Sequence, residues 1–342
     1  MSKPRRSVVV SVVILNVAVF QAKEGLPSDP TWSVSQLHHH RLSANRVGPL
    51  LLHDTLMSVS IPYYHIDSFA DKLFAGNPAG VCFVPAFPAK EVMQKIAAEN
   101  RHSETAFVVA RPDGDFDLRW FTPVAEDTLC GHATLASAYA LSLRGHDTWS
   151  VHFHTLSGLL TVDRDRERSD QEHQDDARRD PERRNHARFA MDFPSHPPVS
   201  CEAPAGLLSA LGLESAEVLR DPRDFLVVVN DAAIVRNLKP DIAALAKIDM
   251  GVGGGAIVTA PGVNDIDYVC RFFAPSEGID EDPATGSIHC ALVPYWSGRT
   301  GKQTFRVRQL SSRGAQMWCT LLGSRVKIAG EAKLYLHGTI NI

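Results

Sequence analysis

Arg119-Trp120-Phe121-Thr122-Pro123 and Arg271-Phe272-Phe273-Ala274-Pro275 stand 152 residues apart. They share the arginine, the third-place phenylalanine and the proline, and the second residue of each is aromatic. The same offset sets Cys130-Gly131-His132-Ala133-Thr134 against Asp282-Pro283-Ala284-Thr285-Gly286. Apolar runs follow both, Leu135 to Leu143 and Ile288 to Tyr295, and read as buried helices. Strand, proline-containing loop, small-residue turn and helix therefore recur in one order. Recurrence of a whole unit predicts a two-fold arrangement of similar halves.

A helix starts with N–H groups that lack intrahelical partners and carry partial positive charge. Two such starts facing one cleft would hold a carboxylate and stabilise an enolate-like charge. Gly131, Gly286 and Ser287 suit that position, because small residues let backbone amides approach a ligand. Tight turns with capping residues explain the same spacing equally well.

Outward from the repeat, the chain alternates strand and helix signals. Pro62 to Phe69 reads as a strand, Asn77-Pro78-Ala79-Gly80 as a turn, and Val81 to Val84 as a strand. Pro88 to Asn100 carries apolar residues at helical spacing, and Thr105 to Ala110 and Leu118 to Phe121 read as strands. In the second half, Ala203 to Leu213 and Ile242 to Ile248 read as helices, and Phe225 to Val229 and Ala256 to Ala260 as strands. Gly251 to Gly255 precedes a strand, whereas a dinucleotide fingerprint follows one. Arg325 to Ile342 alternates like paired strands.

The 342 residues are 44% hydrophobic and 22% charged, with a net charge of -4, so a large core is available and a nucleic-acid partner is disfavoured. Six scattered cysteines form no C-x-x-C pair, which argues for reduced thiols in a cytoplasmic enzyme and against a zinc site. Residues 1–60 read as an unstructured leader. Its apolar run Val8 to Phe20 is too short to span a bilayer, and a secretory signal is the alternative. His38 to His40 read as a solvated run rather than metal ligands. From Asp163 to Arg188, 17 of 26 residues are charged, the mark of a solvated surface insertion near a boundary between halves at 187/188.

His102-Ser103-Glu104-Thr105-Ala106-Phe107 resembles the S-E-T-x-F segment of the phenazine-biosynthesis isomerase (PhzF-like) family. Gly76-Asn77-Pro78 resembles its G-N-P turn, Arg119 to Thr134 its R-x-F-T-P…C-G-H-A-T segment, and Asp282 to Ser287 its D-x-A-T-G-S loop. The matches run in family order over roughly residues 61–342. The resemblance implies an α+β, diaminopimelate-epimerase-like fold. That fold has two pseudo-symmetric halves, each a curved sheet around a central helix, with the site between them and the last strand returning to the first half.

It also implies a cofactor-independent isomerase, often a homodimer, needing no metal, flavin or nicotinamide. The substrate class is a small cyclic unsaturated amino or hydroxy acid with a carboxylate, resembling dihydro-hydroxyanthranilate. Glu104 is then the acid/base and His132 and Asp282 line the site. Asn77, Gly131, Gly286 and Ser287 bind substrate. The family often has Asn-Leu ahead of S-E-T, where Arg101 and His102 stand here, so an arginine beside the site is expected to alter the preferred anion.

A proton shift needs a carboxylate whose affinity for protons is raised, and burial among Ala106, Phe107 and other apolar residues is expected to do this for Glu104. Two-thiol epimerases on this fold place a cysteine in each half. Here Cys130 is matched by Asp282, so Cys130 reads as a small buried residue at a turn. His289, Tyr295 and Trp296 read as packed core. A racemase or epimerase with opposed bases, and a non-catalytic small-acid binder, remain as alternatives.

Overall fold

The computed structural model describes residues 59–146, 148–165, 188–251 and 254–342. Residues 57–342 form one compact unit. Its strands make a single path. One end is β1 (Ser60–Ser68), β2 (Asn77–Phe83), β3 (Glu104–Ala110), β4 (Phe116–Phe121), β6 (Ser150–Thr155), β7 (Gly158–Arg164), β8 (Arg188–Pro194) and β16 (Arg325–Asn341). β16 also pairs antiparallel with β1, from Ser60 opposite Asn341 to Ser68 opposite Ala332, which closes these eight strands into a ring. Closure leaves no free strand edge in this half.

Helix α2 (Gly131–Leu143) packs against β1, β2, β3, β7, β8 and β16 and is apolar on every side. A helix apolar all round must be enclosed by protein, and the ring encloses it. Beyond β16 the path continues through β15 (Ala315–Leu322), β14 (Thr304–Gln309), β13 (Tyr268–Phe273), β12 (Ala256–Pro261), β11 (Phe225–Val228), β10 (Glu217–Arg220) and β9 (Val199–Ser200). Helix α6 (His289–Thr300) packs against β15 and β16. The small β5 (Glu126–Asp127) pairs with β4.

The expected duplication is present at the level of strands. β4 and β13 begin and end 152 residues apart, and β3 and β12 begin at the same offset. β2 and β3 are parallel, β3 and β4 antiparallel, and β4 and β6 parallel. The pairs β11/β12, β12/β13 and β13/β14 repeat that sense. The closed ring takes in Arg188–Pro194, beyond the 187/188 boundary expected from charge, because β8 pairs with β7 and β16.

Two expected helices are shorter than their apolar spacing implies. α3 covers Leu207–Leu211, since Gly206 and Gly212 both take left-handed backbone and end it on either side. α5 spans Ile242–Leu245, capped by the Asp241 carboxylate on the Ala244 N–H at 2.9 Å. α1 (Lys90–Asn100) matches expectation to within two residues, and α4 (Ala232–Asn237) was not foreseen.

Residues 1–58, with the apolar run and His38 to His40, lie outside the described residues, as do 166–187 of the charged run. The ends of that run are structural rather than free: Asp163 and Arg164 belong to β7. The buried Asp165 accepts from Arg188 at 3.3 Å and Lys327 at 2.9 Å. Among the described residues no helix is long and apolar enough to cross a membrane.

Candidate active site

Asn100 closes α1, and Arg101 turns the chain through left-handed backbone with its N–H on Ala97 O. The reversal delivers Glu104 to the first position of β3, with Ala79 of β2 opposite. A side chain at a strand's first position stands at the end of the sheet, where the β4–α2 loop also arrives. Cys130 is the extended N-cap of α2, so His132 is its second residue, and Ser68 Oγ ties the His132 carbonyl at 2.7 Å. In the other half, Asp282 N–H bonds Phe272 O at 3.1 Å. The buried Gln309 splints the loop, donating to Asp282 O at 2.7 Å and accepting from Thr285 N–H at 2.9 Å.

These loops bring Glu104, His132 and Asp282 together, with exposures of 6%, 6% and 7%. His132 Nε2 lies 3.0 Å from Glu104 Oε2. The two are out of line for a hydrogen bond, and neither atom has one among the described residues. Buried polar atoms without partners are rare, and here a facing acid and imidazole both have capacity left over.

Asn77, fully buried, is the hub. Its Nδ2 donates to Asp282 Oδ1 at 2.7 Å and Ala284 O at 3.2 Å and lies 3.3 Å from His132 Nδ1, while its Oδ1 accepts from Ser103 Oγ at 3.0 Å. Thr285 Oγ1 donates to Asp282 Oδ2 through a short hydrogen bond.

Burial pushes Asp282 up to about 6, with the Glu104 charge adding to the rise and His132 opposing it. Burial pulls His132 down, but the carboxylates of Glu104, Asp282 and Asp127 outweigh it and leave the imidazole above its ordinary value. Asp282 and His132 therefore both keep their protons to higher pH than the free groups do.

Gly131 opens α2, next to His132. Gly286 and Ser287 precede α6, whose N-cap is Ile288. The second helix thus starts six residues later than the first at the repeat offset. Gly286 faces the Phe69 ring, where an added Cβ would lie 3.4 Å away. Ser287 Oγ accepts from Arg223 Nη2 at 3.0 Å. Asp127 and Arg223 were missed in the sequence. Asp127 stands in the family-like segment without being one of its motif letters, and Arg223 lies in a turn that shares no residue with its pseudo-repeat.

Arg101, expected to bear on anion preference, is an exposed helix cap whose side chain makes no hydrogen bond or ion pair among the described residues. Cys130 is buried as expected. It is also part of the cluster, with Sγ 3.5 Å from His132 Nδ1, two residues further along the chain. Glu104, Cys130 and His132 each place one potential metal-ligating atom within 4.8 Å of the others, as do Asp113, Asp115 and His154 on the surface. Burial, then Glu104 and Asp127, push the Cys130 thiol well up, which opposes a thiolate ligand. His289 is fully buried with Nδ1 2.8 Å from Tyr268 OH, a packed histidine as expected.

The family pattern described as phenazine biosynthesis-like protein, PhzC-PhzF, matches residues 66–338. An uncharacterized isomerase of Pseudomonas aeruginosa is 43% identical over 83% of this chain and all of its own length. A PhzF-family protein of Enterococcus faecalis superposes with a TM-score of 0.73 at 38% identity, covering 83% of this chain and all of that one. A hydroxyproline epimerase of Agrobacterium vitis shares the fold at 12% identity, with a TM-score of 0.53, over 83% of this chain and 93% of its own. The match over residues 66–338 and the 43% identity show that this two-fold chain belongs to the phenazine biosynthesis-like, PhzC-PhzF, family of isomerases.

Proposed function

We propose that this isomerase moves a proton between two carbons of a small cyclic, unsaturated amino or hydroxy acid, with Glu104 as the group that removes and returns it. The observation that carries the reading is the buried Oε2 of Glu104, 3.0 Å from His132 Nε2, with neither atom hydrogen-bonded among the described residues. A carbon acid set against Glu104 would give its proton to the carboxylate. The imidazole Nε2–H would then support the charge developing on a substrate oxygen or nitrogen. Glu104 would return the proton to a second carbon on the same face.

A racemase with two opposed bases would need Asp282 to act as a second free base. Both Asp282 oxygens are already engaged, one by Asn77 and one by Thr285. At the repeat offset, the position matching Glu104 is the apolar, buried Ala256. Both features favour a single working base.

The test is NMR in heavy water with dihydro-hydroxyanthranilate-like acids and cyclic amino acids. Deuterium entering a ring carbon with a double-bond shift, reduced about 10²–10⁴-fold in Glu104→Gln, is expected for one general acid/base. Exchange at an α-carbon with loss of chirality would instead assign an epimerase, and exchange persisting in Glu104→Gln would remove Glu104 from its role.

A further inference from the structure

Arg223 lies in the turn between β10 and β11, on the side of the site that faces the second half. The repeat gives it a counterpart. β2 and β3 are parallel with Ala79 opposite Glu104, and β11 and β12 are parallel with Phe225 opposite Ala256, the mate of Glu104 at the 152-residue offset. Two residues before Ala79 stands Asn77, and two before Phe225 stands Arg223. Asn77 reaches across to the loop of the opposite half, at Asp282 and Ala284. By the pseudo-symmetry Arg223 is directed at the first-half loop that ends in Cys130. In that loop Asp127, pushed up by burial and by Glu104, is pulled back by the Arg223 charge.

The guanidinium is not used up by its own half. Nε bonds Asp224 Oδ2 at 3.3 Å and Nη2 donates to Ser287 Oγ at 3.0 Å. Nη1 has no hydrogen bond among the described residues, and the side chain is 41% exposed. Asp224 is held separately by the Gly255 N–H at 2.9 Å. The rest of the cleft is acidic: Glu104, Asp127 and Asp282 all contribute. A small acid entering such a cleft needs a cation, and a planar fork beside a hydroxyl matches a carboxylate on two donors.

We infer that Arg223 and Ser287 bind the carboxylate of the substrate, so that Arg223 selects small monocarboxylic acids over their neutral analogues and fixes which ring carbon faces Glu104. This rests on the isomerase reading of the cleft, but its test does not need turnover.

The probes are 2-aminobenzoate and its uncharged amide, 2-aminobenzamide, with binding measured by calorimetry to the full chain. The wild type is expected to bind the acid at least 10-fold more tightly than the amide. Arg223→Gln should weaken acid binding about 10–100-fold, leave the amide unchanged and unfold at the wild-type temperature. Arg223→Lys should recover part of the loss, since it keeps the charge without the fork. Glu104→Gln should keep the wild-type preference for the acid. Equal binding of acid and amide by the wild type, unchanged acid binding in Arg223→Gln, or no acid binding to the wild type would each overturn the inference. Carboxylate selectivity through Arg223 with no proton exchange in any acid would overturn the isomerase reading alone.

Discussion

Asp282 and His132 stand close together across the seam between halves, and both hold their protons more tightly in the folded chain, which sets how stability responds to pH. A carboxyl raised from 3.8 to about 6 in the folded state holds its proton longer there than in the unfolded chain. Its effect is a loss of stability as pH climbs from about 4 through 6. His132, also raised, contributes stability that is complete below about 6.5 and fades as pH passes its folded value. Both signs agree: the melting temperature is expected to fall between pH 5 and pH 8. Glu104→Gln removes a carboxylate that raises His132, so its melting temperature should vary less over the upper part of that range. A wild-type profile that rises with pH would contradict the assignment. Asp282→Asn removes a buried charge while keeping an acceptor for Asn77. At pH 7 it is expected to stabilise the fold by about 1–2 kcal/mol, after discounting the coupling to His132, and to cost activity. Paired thermal melts and exchange assays check this.

At the scale of elements, the site depends on the close approach of β16 to the chain leaving β1. Phe69 ends β1 in left-handed backbone and lies against Gly330, where an added Cβ would meet the ring at 2.4 Å. The same ring lines Gly286. Gly330→Ala is therefore expected to destabilise by about 1–3 kcal/mol through overpacking and to lower exchange activity by shifting Phe69 onto the Gly286 loop. Chemical denaturation together with the heavy-water assay reads both effects, and a neutral result in both would show that the ring has room to move. Elements also show where periodicity misleads. Ala203 to Leu213 has the spacing of a longer helix, but Gly206 and Gly212 adopt a backbone that no helix continues through. Ile242 to Ile248 likewise stops at Leu245. α2 and the strands at Thr105 to Ala110, Leu118 to Phe121, Phe225 to Val229 and Ala256 to Ala260 were legible because their apolar patterns are continuous, whereas Asn77 to Gly80, read as a turn, opens β2, and β6, β7, β8, β10, β14 and β15 were not foreseen.

Across the whole molecule, β16 is a strand of both halves, paired with β8 and β15 along its first part and with β1 along its second. Neither half can lose its order without exposing the shared strand. Calorimetry of the full chain is expected to show one cooperative transition for residues 57–342, and two separated transitions would mean the halves are energetically independent. The sequence alone determined the duplication, because repeated strands and turns must reuse the same residue types to bury the same faces, and it named Glu104, Asn77, His132 and Asp282 through motifs carried on those strands. Only the tertiary structure decided that Asn77, beside His132, reaches Asp282 across 205 residues of chain. It alone engaged both Asp282 oxygens and brought Arg223 to Ser287 in place of the exposed Arg101. Spacing along a chain reports which face of an element a residue occupies, whereas which distant loop it meets depends on how the two halves close around their shared strand.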